Sequence, residues 1–216
     1  MTRSPNTLLI NPTITSRHSA RFPLSLLNLS AALDETGSSR ILDGNLDRDV
    51  VGETLRALER EHFDAVGVSV MGGPHVAPAV VVSRAVRERF PRLPIIWGGY
   101  FPTLNTDAVL ATHYVDYAVR GQGEQTLSEL IASLGGDGPR LHEIAGLSWK
   151  GIRGVTHNPS RPFARSRHAS LLPYDKLGDP RRYLARTYLG ARTVAHQAAL
   201  GCRFRCTFCG VAAMFG

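Results

Sequence analysis

Two hydrophobic periods alternate along the first 135 residues. Short, almost wholly apolar runs, "NTLLINP" (6–12), "SRILDGN" (39–45), "DAVGVSV" (64–70), "LPIIWGG" (93–99) and "VDYAVRG" (115–121), read as buried strands. Between them, residues 23–37, 46–63, 77–90, 103–113 and 124–136 read as helices. Gly37 is expected to close the first helix and Asp47 to cap the second, with Val51, Leu55 and Leu58 along one face. In the last, Leu127, Leu130, Ile131 and Leu134 form one stripe. Apolar strands alternating with helices belong in a parallel sheet covered on both faces, so the fold class is α/β with a doubly wound five-stranded parallel sheet.

From about Pro139 the alternation stops. Residues 146–163 read as a small hairpin, residues 171–190 as an irregular Pro- and Arg-rich connector, and "ARTVAHQAALGC" (191–202) as a strand that delivers a cysteine loop. The expected organisation is therefore an α/β domain over 1–138, a connector with a hairpin over 139–190, and the start of a further domain over 191–216.

Charge follows the same division. Residues 151–216 hold ten Arg and one Lys against two Asp, a net +9, whereas the whole 216-residue chain carries +7. No stripe of interleaved aromatic and basic residues accompanies this excess, which argues against a nucleic-acid partner. No apolar run reaches membrane-spanning length, and the first apolar run is too short for a secretory signal, so a cytoplasmic protein without a membrane partner is expected.

In a doubly wound sheet the ligand sits beyond the carboxyl ends of the strands. Three of the loops there are glycine-rich: "MGGPHVAP" after the third strand, "GGYFPT" after the fourth and "GQGEQ" after the fifth. Glycines let backbone approach a large ligand and offer unshielded N–H donors. A dinucleotide fingerprint would need its glycines after the first strand, where "NPTITS" stands, and no phosphate-loop pattern is present.

All three cysteines, Cys202, Cys206 and Cys209, fall in one octet, spaced C-x₃-C-x₂-C. Three thiolates on a tight loop can hold three corners of a cubic iron–sulfur cluster and leave one iron open. A zinc site would need a fourth ligand, conceivably His196, and zinc pairs are usually spaced C-x₂-C. A disulfide would strand one thiol.

Two resemblances follow. Ser69-Val70-Met71, then Gly98 and Gly99 after twenty-six intervening residues, resembles the cobalamin-binding (flavodoxin-like) domain pattern, with Met71 in place of Leu. The resemblance implies that the small Ser and paired Gly make room for the nucleotide tail of the corrin, between sheet and helices. The family's Asp-x-His-x-x-Gly motif is absent. His18 has the wrong neighbours and reads as a loop residue, His75 has no supporting motif, and the cobalt's lower axial position is expected to lack a protein histidine.

The octet resembles the radical S-adenosylmethionine (SAM) signature, and the chain as a whole is similar to cobalamin-dependent radical SAM proteins. Leu200 stands for their usual Arg and Arg203 for their usual Pro. This implies cobalamin contacts at Ser69, Val70, Met71, Gly72, Gly73, Gly98, Gly99, Tyr100, Gly121, Gly123 and Glu124. It also implies a [4Fe-4S] cluster on Cys202, Cys206 and Cys209, Phe208 against the SAM adenine, and no catalytic residue beyond the cluster ligands.

The implied activity is cleavage of SAM to a 5′-deoxyadenosyl radical, for methyl transfer to an unactivated carbon of a small-molecule substrate. An electron donor such as flavodoxin or ferredoxin would serve it. A barrel of this kind takes ~250 residues, so the chain is expected to be the front end of a longer enzyme, inactive alone and fraying at its C-terminus. A cobalamin carrier or sensor without catalysis, and a zinc-stabilised nucleic-acid binder, are the competing readings.

Overall fold

Leu8 and Ile10 point to one side of their strand and Leu9 to the other, and all three are buried. That two-sided burial runs through the central strands and is why they read as continuous apolar text. The computed structural model describes residues 4–16, 19–47, 49–152, 154–163, 172–204 and 206–215.

In chain order the elements are β1 (Asn6–Asn11), α1 (Leu24–Leu33), β2 (Ser38–Asp43), α2 (Val50–Arg60), β3 (Ala65–Ser69), α3 (Val76–Arg89), β4 (Ile95–Gly98), α4 (Tyr100–Leu104), α5 (Thr106–Leu110), β5 (Tyr117–Val119) and α6 (Glu124–Gly135). They are followed by β6 (Leu147–Gly151), β7 (Gly154–His157), β8 (Ala185–Thr187), β9 (Gly190–Thr193) and α7 (Val211–Phe215).

The main sheet runs β2-β1-β3-β4-β5-β6-β7. Its first five strands are parallel, as the alternating pattern predicts. Leu8, Ile10, Val66, Val68, Ile95 and Trp97 pack with α2 and α3 on one face. Leu9, Ile41, Ala65, Ile96 and Val119 pack with α1 and α6 on the other. Trp97 is buried whole because its indole Nε1–H donates to Ser83 Oγ at 2.8 Å.

Several expectations need correction. The sheet has seven strands, because the hairpin is not a separate unit: β6 pairs antiparallel with β5, and β7 with β6. β6 covers the open edge of β5 and buries Leu147 and Ser148 completely. The cap of α2 is Asp49, which accepts from Gly52 N–H at 2.8 Å, rather than Asp47. The single helix expected over 103–113 is two short ones, α4 and α5, broken at Asn105, whose backbone leaves the helical region at φ −131°, ψ 42°. α1 ends at Asp34, although Gly37 N–H does reach Leu33 C=O at 2.9 Å.

The strand expected over 191–202 forms only as β9, antiparallel to β8 in a ribbon of its own. Residues 194–200 carry no regular structure. A strand needs a neighbour for its N–H and C=O groups, and β8 supplies one only as far as Thr193.

The connector is tied down by polar side chains. Lys176 Nζ donates to Asp34 Oδ1 at 2.6 Å and to Ser39 C=O at 3.0 Å. Tyr183 is buried and its hydroxyl donates to Asp43 Oδ2 at 2.9 Å. Asp43 also accepts from Asn11 Nδ2 and from the Asn45 N–H. Burial pushes its carboxyl above the ordinary range, opposed by these three hydrogen bonds, and the Tyr183 phenol is held far above its own. Among the described residues no helix is long and apolar enough to cross a membrane.

Candidate cofactor-binding cleft

A cavity of about 310 Å³ opens at the carboxyl ends of β3, β4 and β5 and runs down between the sheet and helices α1 and α6. Its floor is Leu9, Gly67, Ile96 and Val119 from the strands, and its far wall is Leu26, Asn28, Leu29 and Leu127 from the two helices. Space exists there because of two missing side chains. A Cβ on Gly67 would stand 3.0 Å from Leu9 Cδ2, so this strand glycine keeps the floor low. A Cβ on Gly98 would meet nothing nearer than Val119 at 3.8 Å and would enter the open cleft.

The rim is laced by backbone. Val70 N–H donates to Gly98 C=O at 2.8 Å, and Phe101 N–H donates to Val70 C=O at 3.1 Å. Gly99 sits at φ 105°, ψ −164°, a region essentially restricted to glycine, and a Cβ there would lie 2.9 Å from Val70 C=O. On the β5 side Gly121 N–H donates to Thr103 Oγ1 at 3.0 Å.

Of the residues expected at the cofactor, Ser69, Met71, Gly98, Gly99, Tyr100, Gly121, Gly123 and Glu124 all line this one cleft. Val70 does not: it is 0% exposed and serves through its backbone. Gly72 and Gly73 are exposed in the turn leading to α3, outside the cleft. His75 is in the same turn and does not line the cleft either, and His18 lies outside the described residues.

Sequence reasoning missed the α1 wall and Gly67. A glycine inside the apolar run "AVGVS" was the available signal for the second. It also missed the cover: Gln197, Leu200, Met214 and Phe215 close over the mouth.

That cover begins at the octet. The ring of Tyr100 lies against Gly210, which follows Cys209, and a Cβ on Gly210 would stand 3.5 Å from it. Partial burial and the neighbouring Cys209 push the Tyr100 phenol up from its ordinary range. Thr103 Oγ1 is 3.3 Å from the Met214 sulfur. Cys202, Cys206 and Cys209 are all exposed, with a backbone turn from Cys209 N–H to Cys206 C=O at 3.1 Å. Among the described residues no three Cys, His, Asp or Glu side chains converge on a metal position. Phe208 is 92% exposed and away from the cleft.

Residues 11–131, more than half of the chain, match the B12 binding domain family. The chain belongs to that family. Around this B12-binding domain the similarity extends further. Over 191 residues the chain is 26% identical to an anaerobic magnesium-protoporphyrin IX monomethyl ester cyclase of Synechocystis, covering 87% of this chain and 38% of the relative. Over 195 residues it is 26% identical to an uncharacterised methyltransferase of Pyrococcus horikoshii, covering 90% and 41%. The chain thus spans about two fifths of the curated relatives it matches.

Among solved structures it is similar to the radical SAM methyltransferase TsrM of Kitasatospora setae with cobalamin and a [4Fe-4S] cluster bound. The TM-score is 0.70 at 21% identity, over 99% of this chain and 42% of that one. It is also similar to the cobalamin-dependent SAM radical enzyme OxsB with aqua-cobalamin and SAM bound, with TM-score 0.65 at 21% identity, over 73% and 22%. The fold of the B12-binding domain is therefore the α/β fold that the alternating pattern predicts.

Proposed function

We propose that the cleft takes the nucleotide tail of cobalamin and that the chain is part of a cobalamin-dependent radical SAM methyltransferase. The observation that carries this is the cleft itself, cut between sheet and helices where Gly67 and Gly98 withhold side chains. Its volume is at the low end of the ~300–1,000 Å³ of small-molecule pockets, which suits an appended tail and leaves the corrin across the rim. Ser69 offers a hydroxyl inside the cleft, Leu26, Leu29 and Leu127 an apolar wall, and Tyr100 and Met71 flank the mouth.

In the same reading Cys202, Cys206 and Cys209 hold a [4Fe-4S] cluster in the whole protein, with SAM on its open iron and a flavodoxin- or ferredoxin-like electron donor. Cobalamin supplies a transferable methyl group, and the cluster an electron for SAM cleavage. What this chain contributes to that chemistry is placement: Tyr100 touches both the cleft and the residue after Cys209.

The exposed, unconverged thiols favour a second reading, a cobalamin carrier with no cluster. Anaerobic reconstitution with iron, sulfide and hydroxocobalamin separates the two. Retained cobalamin together with a site-differentiated cubane in the Mössbauer spectrum, perturbed by SAM, supports the methyltransferase reading. Cobalamin without a cubane, even when the octet is carried in a longer chain, supports the carrier, and no retained cobalamin removes both.

A further inference from the structure

A second cavity, of about 410 Å³, lies on the other side of Met214 and Phe215 from the cleft. Two guanidinium groups line it. Arg161 is accounted for: its side chain is 14% exposed, it pairs with Glu129, and its Nε donates to Thr126 Oγ1 at 2.9 Å. Arg120 is not. Among the described residues its guanidinium donates only to the Asn158 and Leu147 carbonyls. Its Nε is sealed from solvent without a partner, and burial alone lowers its basicity, with no carboxylate opposing that shift.

Arg87, a half-buried arginine elsewhere in the domain, has an equally sealed and unpartnered Nε, but its terminal nitrogen is paired with Asp116. Buried guanidinium groups are normally paired, so a cation held by carbonyls at a cavity wall is short of one anion. The cavity's charge defines that anion. With Arg161 neutralised by Glu129, one positive charge remains among the described residues of the lining, which matches a monoanion and not a phosphate dianion. The opposite wall is apolar: Pro162, Phe163, Ala212, Ala213 and Phe215, with the Phe163 and Phe215 rings edge to face at 6.0 Å.

We propose that this cavity is a binding site for an organic monocarboxylate, its carboxylate on Arg120 and its apolar body against Phe163 and Phe215. The site is separate from the cobalamin reading and stands without it.

The test is titration of the full chain with phenylacetate, benzyl alcohol and inorganic phosphate, read by calorimetry and by the Arg side-chain Nε–H resonances. Phenylacetate is expected to saturate with a dissociation constant of about 1 mM or tighter and to shift the Arg120 resonance. Benzyl alcohol and phosphate are expected to bind at least about tenfold more weakly, the loss of one charge-assisted interaction.

Arg120→Gln is expected to remove the preference of phenylacetate over benzyl alcohol. Phe163→Ala, on a half-exposed ring, is expected to weaken phenylacetate while leaving acetate unchanged. Equal binding of the alcohol, equal saturation by phosphate, or an unmoved Arg120 resonance overturns the proposal, and the resonance decides the matter if Arg120→Gln does not fold. Gly98→Leu, which fills the cobalamin cleft, is expected to leave the phenylacetate titration intact, so failure of one reading does not carry the other with it.

Discussion

Adjacent glycines at the rim separate binding from stability. Gly98→Leu places an isobutyl group where the nearest protein atom to a Cβ is Val119 at 3.8 Å, so the fold has room for it and the cleft does not. Its stability cost is expected to stay within about 0.5 kcal/mol, as for sites without a strained or overpacked contact. Cobalamin then meets the overpacking penalty instead, about 1–3 kcal/mol, or ~5- to 150-fold in dissociation constant. Gly99→Ala does the opposite. It forces a Cβ onto φ 105°, ψ −164°, at 2.9 Å from Val70 C=O. That backbone region costs a non-glycine residue about 1–3 kcal/mol, or ~2–12 °C in melting temperature for a chain of this size. Thermal melts with and without hydroxocobalamin, and a spectrophotometric cobalamin titration, read both effects. The reasoning fails if Gly98→Leu melts as early as Gly99→Ala, or if it retains cobalamin with wild-type affinity.

Tyr183→Phe removes a buried hydroxyl donated to a carboxylate at 2.9 Å and is expected to cost about 1.5–3 kcal/mol in denaturant unfolding. The pH dependence follows from Asp43, whose folded pKa is raised by burial. A raised carboxyl favours folding at low pH and loses that contribution as pH rises from the ordinary Asp value, about 3.9, through the folded one. Relative to wild type, Asp43→Asn is therefore expected to gain stability steadily as pH rises across that window, and a constant difference in paired urea melts would contradict this. Lys176→Met cuts the bonds to Asp34 and Ser39 and is expected to speed proteolysis of the connector while leaving cobalamin binding unchanged. Single Cys→Ser changes at 202, 206 or 209 replace exposed thiols. Each is expected to shift stability by less than about 0.5 kcal/mol while lowering the iron incorporated on reconstitution, which iron assay and thermal melts check together.

The five parallel strands were legible because their signal is local: each is an apolar run buried on both faces and bounded by a helical period. The rim was legible for a related reason, since Gly98 and Gly99 stand at a strand end whose position the periodicity locates. What was not legible rests on partners distant in the chain. "GLSWKGIRGVTH" says hairpin, but nothing in it says that β5 will be its neighbour, because edge pairing is made by backbone groups that every residue carries. The connector's anchorage was hidden likewise. Lys176, Arg182 and Tyr183 read as members of a basic, irregular stretch, and only the fold brings Asp34, Asp47 and Asp43 to them. At the octet, the spacing singled out three cysteines, while the pose of the loop depends on its surroundings and was not written in the eight residues.

The lacing of Val70 to Gly98 and Phe101 gives the rim a property beyond its shape. Two loops that share backbone bonds cannot open independently, so the binding surface exists before any ligand arrives. Little configurational freedom is left to be lost on capture, and pre-organised surfaces of this kind gain affinity from that alone. Gating then falls to the part above, where Gln197, Leu200, Met214 and Phe215 form the roof. Exchange of a tightly held ligand should accordingly follow the lifting of that roof, with the walls beneath it standing still.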